Sequence, residues 1–251
     1  MGGQPADVLV PAVSDLTATR LRRVGHKGAD HLAPGNTRAS FDAALAADVD
    51  MIEFDVLPED QRALDTTRLL LAHDYEHDLS AAPTLEEGLD HLASPAFAGV
   101  DLDVDLKLPG YEARVVRALQ ERDLVGRTLV SSMYMRSLVA VRALEPALRL
   151  GWSVPRVRRD YTKSIVWAIP VYGAAAWVRR RLPATAARHL GEGRCDAVMA
   201  HWRLITPSLV STVRDAGGEL YVWTVDDAAL IRRLAGLGVT GVITNDPRLF
   251  A

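Results

Sequence analysis

Glu53 and Asp55 stand two residues apart in the apolar run Met51-Ile52-Glu53-Phe54-Asp55-Val56. In extended backbone, alternate side chains share a face. Both acids therefore lie on one side, with Ile52, Phe54 and Val56 on the other. Two like charges this close are costly to bury unless a cation compensates them. A hard divalent ion, Mg²⁺ or Ca²⁺, is the natural partner for carboxylate oxygens. Structural ion pairs with arginines would explain the acids equally well at this point. The run Val100-Asp101-Leu102-Asp103-Val104-Asp105-Leu106-Lys107 repeats the pattern, with three acids and then a lysine on one face. Asp105, near its C-terminal end, can add a third carboxylate to a one-ion site. Lys107 can meet a phosphate oxygen as a point charge. Lysine is scarce: of 29 basic residues only Lys27, Lys107 and Lys163 are lysines, so two of the three fall in chemistry-bearing segments.

Two histidines join this set. His26 lies in Gly25-His26-Lys27-Gly28, where flanking glycines permit a tight turn and close backbone approach. His73 follows the apolar run Leu69-Leu70-Leu71-Ala72 and precedes Asp74. Imidazoles titrate near neutrality, so a pair can serve as general base and general acid. His31, His77, His91 and His189 are read as structural or solvated.

These groups need a scaffold that brings strand ends together. Strand-like runs at 23–26, 51–56, 100–106, 128–132, 148–154, 197–201, 220–225 and 241–244 alternate with helical patterns at 37–47, 84–92, 112–122, 136–144, 207–216 and 228–237. Such alternation implies parallel strands joined by crossover helices. Eight units fit a closed (β/α)8 barrel, an α/β fold whose active site lies at the C-terminal ends of the strands. An inward polar face is unusual in a barrel strand, which is normally filled with branched apolar residues. Residues 22–251 are read as one domain, and residues 1–21 as an N-terminal segment over the barrel floor. Residues 161–181 break the rhythm. The stretch Ile165 to Val178 is almost wholly apolar and is flanked by Arg156, Arg158 and Arg159 before, and Arg179, Arg180 and Arg181 after. It is shorter than the roughly 20 apolar residues a bilayer span needs. It is expected to be an extra helical segment after the fifth strand, either packed on the barrel or forming a lid that touches anionic lipid.

The net charge of −3 gives no basic excess for nucleic acid. A lone cysteine, Cys195, excludes an intramolecular disulfide and points to a reducing compartment. Residues 1–11 lack a basic region followed by a long apolar run, so a secretory signal is not expected. The expected location is cytoplasmic, with membrane association through 161–181.

In order, the segments Gly25-His26-Lys27-Gly28, Ala33-Pro34-Gly35-Asn36-Thr37, Ile52-Glu53-Phe54-Asp55-Val56, His73-Asp74 and Asp105-Leu106-Lys107 resemble the motifs of the glycerophosphodiester phosphodiesterases. Val222-Trp223-Thr224-Val225-Asp226 and the stretch from Gly238 to Pro247 resemble that family's closing motifs. The resemblance implies a TIM barrel with one divalent ion on Glu53, Asp55 and Asp105. It implies acid–base catalysis by His26 and His73, phosphate binding by Lys27 and Lys107, and a pocket shaped by Trp223. The implied reaction cleaves a glycerophosphodiester to glycerol phosphate and an alcohol. Three positions depart from the family pattern: Lys27 and Asp105 replace its usual arginine and glutamate, and Gly35 replaces a glutamate. Two other readings stay open. One is a lysophospholipase D or lyase acting on intact lipids, and the other a weakly active or inactive phosphodiester-binding protein.

Overall fold

The computed structural model describes residues 20–76, 79–155 and 168–251, with the backbone alone for 168–176. The expected floor cover (residues 1–19) and the 161–167 part of the apolar segment lie outside the described residues.

Nine strands form one sheet: β1 (Arg22–Gly25), β2 (Met51–Pro58), β3 (Leu69–Leu71), β4 (Asp101–Leu106), β5 (Thr128–Ser132), β6 (Arg149–Val154), β7 (Ala197–His201), β8 (Glu219–Trp223) and β9 (Gly241–Thr244). All but β3 are parallel neighbours, and β1 pairs with both β2 and β9, which closes an eight-stranded barrel. The crossovers carry α1 (Arg38–Ala46), α2 (Leu85–Leu92), α3 (Glu112–Gln120), α4 (Met135–Leu144), α5 (Ala168–Gly191), α6 (Pro207–Asp215) and α7 (Ala228–Leu237). Their starts follow from local sequence. Thr84 and Glu87 form a reciprocal capping box on α2, and Thr206 caps α6 ahead of Pro207.

Period two in β2 and β4 sorts their residues as the spacing requires. Ile52, Phe54, Val56, Leu102, Val104 and Leu106 are buried in one apolar cluster with Phe41 of α1, Leu89 of α2 and Leu119 of α3. Each such side chain contributes about 1.5–3 kcal/mol through burial. Their acidic neighbours are thereby turned into the barrel. The middle of the barrel is filled by Val24, Met51, Leu129, Met199, Tyr221 and Ile243. Below them an ionic layer closes the floor. Asp101 accepts from Arg22 at 2.5 Å and from Arg149 at 3.0 Å, while Arg149 also pairs with Glu219 at 3.4 Å.

Two elements go beyond the sequence reading. The Leu69–Leu71 run is a ninth strand, paired antiparallel with the last three residues of β2 through Val56↔Leu71, Leu57↔Leu70 and Pro58↔Leu69; of these, Leu57 and Pro58 overshoot the pairing with β4. The apolar segment after β6 becomes α5, which continues past Arg181 to Gly191. Val178, Leu182, Ala186 and Leu190 recur every fourth residue and join the apolar cluster that holds Leu209 and Val213 of α6, so the arginine run does not end the helix. Among the described residues no helix is long and apolar enough to cross a membrane.

Candidate active site

At the C-terminal end of β1 the chain turns sharply through Gly25-His26-Lys27-Gly28. Gly28 has φ +84°, and a Cβ there would meet Ser40 of α1 at 2.6 Å. A Cβ on Gly25 would lie only 2.1 Å from the carbonyl oxygen of Gly28. The turn therefore folds flat against α1 and places its backbone over β2: Lys27 N donates to Glu53 Oε2 at 2.9 Å, and Gly28 N to the Glu53 carbonyl at 3.1 Å. The next loop brings Asn36 down onto Asp55. Its amide nitrogen donates to Asp55 Oδ2 at 2.9 Å, and its amide oxygen accepts from Asp55 N at 3.0 Å.

The register pairs Glu53 with Asp103 and Asp55 with Asp105 across β2 and β4, so four carboxylates occupy two successive levels of the barrel. Ligand oxygens of Glu53, Asp55 and Asp105 lie within 4.8 Å of one another, and all three residues are buried. The arginine explanation holds for Asp101 on the floor. Among the described residues no arginine pairs with Glu53, Asp55 or Asp105. Their countercharge is Lys107, whose Nζ lies 2.5 Å from Asp55 Oδ1 and 2.5 Å from Asp105 Oδ2. Asp55 Oδ1 nevertheless has no aligned hydrogen bond.

The electrostatics follow from burial and crowding. Burial, joined by the charges of Asp55 and other acids, raises the Glu53 carboxyl well above its ordinary range. Burial also pushes Asp55 up, but Lys107, His73, His26 and Asn36 together outweigh it and hold this carboxyl below its usual value. Lys107 is the mirror case: burial lowers it, yet Asp105, Asp55 and Glu53 raise it well above an ordinary lysine. Asp103 sits one step deeper, with burial pushing its carboxyl up to about 8 and its Oδ1 without a partner. A preformed cluster of three hard oxygen donors, one buried oxygen lacking a hydrogen bond, and an ammonium wedged between two carboxylates fit a divalent cation.

The predicted histidines flank this cluster. His26 Nε2 is 3.8 Å from Glu53 Oε2, and burial lowers the ring's proton affinity. His73, carried just beyond β3, is half exposed with its Nδ1 3.1 Å from Asp74 Oδ2. Both line one cleft with Glu53, Asp105, Lys107 and Trp223. Trp223 is fixed by a 2.8 Å bond from its indole N–H to the Met199 carbonyl and by an edge contact with His201, ring centroids 5.2 Å apart. Lys27 has its backbone in the left-handed region and its Nζ 3.4 Å from Asp30, away from the cleft lining. Gly35 belongs to the same corner. Its N–H donates to Asp30 Oδ1 at 2.9 Å, and a Cβ would meet that oxygen at 2.5 Å. A glutamate at 35 would have to displace Asp30, so Asp30, Lys27 and Gly35 form one packing unit. Sequence reasoning missed Asn36, Asp103, Asp226 and Asn245 as parts of the site. All four lie inside segments already singled out, but amides and a third like acid carried no separate signal.

The family model for the glycerophosphoryl diester phosphodiesterase family matches residues 73–249. The chain belongs to that family. A glycerophosphodiester phosphodiesterase of Bacillus subtilis (strain 168) is 25% identical over 94% of this chain and 87% of its own length. Among solved structures, a putative glycerophosphoryl diester phosphodiesterase from Silicibacter pomeroyi superposes with a TM-score of 0.70 at 21% identity, covering 91% of each chain. A phosphodiesterase from Oleispira antarctica, solved with its product sn-glycerol-3-phosphate, superposes with a TM-score of 0.64 at 21% identity, covering 91% of this chain and 94% of its own. These structural likenesses establish the family's barrel for this chain. The family match begins at His73. The Gly25–Gly28 turn, Asn36 and the Glu53/Asp55 pair precede the matched residues and join His73, Asp105 and Lys107 through the geometry of the barrel.

Proposed function

We propose that this chain hydrolyses glycerophosphodiesters to glycerol phosphate and an alcohol, using one divalent cation and the His26/His73 pair. The observation that carries the reading is the convergence of Glu53, Asp55 and Asp105 on one point between two histidines. Glu53, Asp55 and Asp105 would hold the cation, which when bound supplies Lewis-acid neutralisation of phosphate charge. One histidine removes the proton of the attacking hydroxyl, either the substrate's own glycerol 2-hydroxyl or, in a second step, water. The other protonates the departing oxygen. Lys107, on exchange of its carboxylate partners for the cation, is free to meet the non-bridging phosphate oxygens. Trp223 walls the cleft where the glycerol or leaving group would lie. Lys27, held by Asp30, contributes long-range charge.

The test is turnover of several glycerophosphodiesters with Mg²⁺, Ca²⁺, Mn²⁺ or chelator. The expected result is product formation with a cation and none with chelator. Equal turnover in both would reject the metal reading, and no turnover with any ion would favour a binding protein.

One observation supports a lipid-facing variant of this reading. Trp177 of α5 is 58% exposed, with the Arg181 guanidinium stacked 4.6 Å from its ring centroid and Arg179 and Arg180 exposed beside it. An aromatic ring among cations suits the surface of an anionic bilayer, and α5 follows the strand end that opens on the active-site face. Cleavage of lysophospholipid in preference to deacylated substrate, with binding to anionic vesicles at low salt, would establish it.

A further inference from the structure

Asn245 follows the carboxyl end of β9, and the loop after β8 carries Asp226. Both are joined to the cleft through His26. His26 Nδ1 and Asn245 Oδ1 are 2.5 Å apart, Asn245 Nδ2 donates to Asp226 Oδ2 at 2.7 Å, and Asp226 Oδ1 accepts from Asn245 N at 2.8 Å and from the Thr244 hydroxyl at 3.0 Å.

The direction of this chain follows from donor chemistry. A carboxylate only accepts, so the Asn245 group facing Asp226 must be its NH₂. The group facing His26 must then be the amide oxygen, which also only accepts. The His26 nitrogen in contact with it must therefore carry a hydrogen. This fixes the neutral ring as the Nδ1–H tautomer and leaves a lone pair on Nε2, the nitrogen on the Glu53 side of the ring. We infer that Asp226 and Asn245 are positioning residues that set the tautomer of His26 and so keep its Nε2 ready to accept a proton. This inference rests on the proposed phosphodiesterase reading. Where His26 is the base, the attacking hydroxyl oxygen forms its bond to phosphorus as its proton passes to His26 Nε2. The phosphorus–oxygen bond to the alcohol breaks, and the departing oxygen takes its proton from His73.

The design makes a specific demand on substitution. In Asp226→Asn the new amide keeps its oxygen on the Asn245 backbone N–H and turns its NH₂ toward Asn245 Nδ2. All groups are satisfied again only if the Asn245 amide flips, presenting NH₂ to His26 Nδ1. That arrangement moves the ring proton to Nε2, the wrong nitrogen for a base. Adding Asn245→Asp restores the polarity, because the carboxylate at 245 accepts from both the new amide and His26 Nδ1–H.

The experiment combines ring-nitrogen NMR of His26 with steady-state kinetics on a glycerophosphodiester that the wild type turns over. The expected wild-type ring is protonated on Nδ1 and bare on Nε2. Asp226→Asn should move the proton and lower kcat by ~10-fold or more with KM near the wild-type value, since a misplaced proton disables base catalysis without removing binding contacts. The double variant Asp226→Asn/Asn245→Asp should recover kcat. A wild-type ring protonated on Nε2 overturns the inference, as does unchanged kcat in Asp226→Asn. Failure of rescue in a double variant that melts like wild type overturns it as well. A wild type inactive on every glycerophosphodiester would sink the proposed function instead, while the ring nitrogens would still report whether the relay holds.

Discussion

Asn36 is where the metal-site geometry can be weighed most directly. Its side chain is 4% exposed and makes two bonds to one residue, one to the Asp55 carboxylate and one from the Asp55 backbone N–H. Its backbone is left-handed at φ +59°. Asn36→Ala removes a bond to a charged group, worth ~1.5–3 kcal/mol, and a neutral one worth ~0.5–1.5 kcal/mol. It also places a Cβ without a compensating amide in a left-handed backbone, at ~1–2 kcal/mol. The expected loss of stability is between ~3 and ~6.5 kcal/mol, read by urea unfolding in chelator. With Asp55 freed to rotate, divalent-ion affinity should fall ~10–100-fold, as when other ligand-orienting partners are removed. Asn36→Gly separates the two causes. It relieves the backbone strain and should recover ~1 kcal/mol of stability but none of the ion affinity. A loss below ~1 kcal/mol in Asn36→Ala, together with unchanged ion binding by calorimetry, would show that Asp55 is not held in place by this residue.

Lys107→Met should destabilise the chelator-treated protein by ~3–5 kcal/mol, because it strips the buried carboxylates of their countercharge. Excess Mg²⁺ should return about 2.7 kcal/mol at a hundredfold excess over its Kd; melts that ignore both chelator and ion would contradict this. Folded Asp103 keeps its proton up to about 8, against an ordinary value of 3.8, so the native state binds more protons than the unfolded chain between these values. Stability in chelator should therefore fall as pH rises through that window, and Asp103→Asn should flatten the fall. An unaltered pH profile in that variant would assign the effect elsewhere, Glu53 being shifted in the same direction. His26→Ala and His73→Ala should each lower turnover by at least ~10²-fold, and undiminished rates in either would remove that ring from the chemistry.

The barrel was legible because β2 and β4 alternate so strictly. Ile52, Phe54 and Val56 could only face helices, which left Glu53 and Asp55 nowhere to go but inward. The same alternation placed Asp101, Asp103 and Asp105 on one face but did not distinguish them. Depth along the strand did so: Asp101 meets Arg22 and Arg149 at the floor, Asp103 is buried with one oxygen unpartnered, and Asp105 reaches the cluster. Leu69–Leu71 was too short and uniform to reveal its pairing direction, which depends on the two residues by which β2 overshoots the barrel. In α5 the arginine run at 179–181 hid a four-residue period that continues to Leu190. Lys107 was read as a phosphate ligand, and its position between two acids reflects a local neutrality condition that no strand pattern encodes.

His26 sits at the tip of a barrel strand paired on both sides with strands of the closed sheet, whereas His73 hangs from a three-residue ribbon held by the end of β2 and by one bridge to Thr84. The two halves of the proposed proton machinery thus differ in what anchors them. Local opening of that ribbon would carry away one imidazole while the carboxylate cluster and the other ring stayed assembled. If His73 acts as proposed, such an attachment lets its reach and angle adjust to the alcohol without reopening the closed sheet beneath.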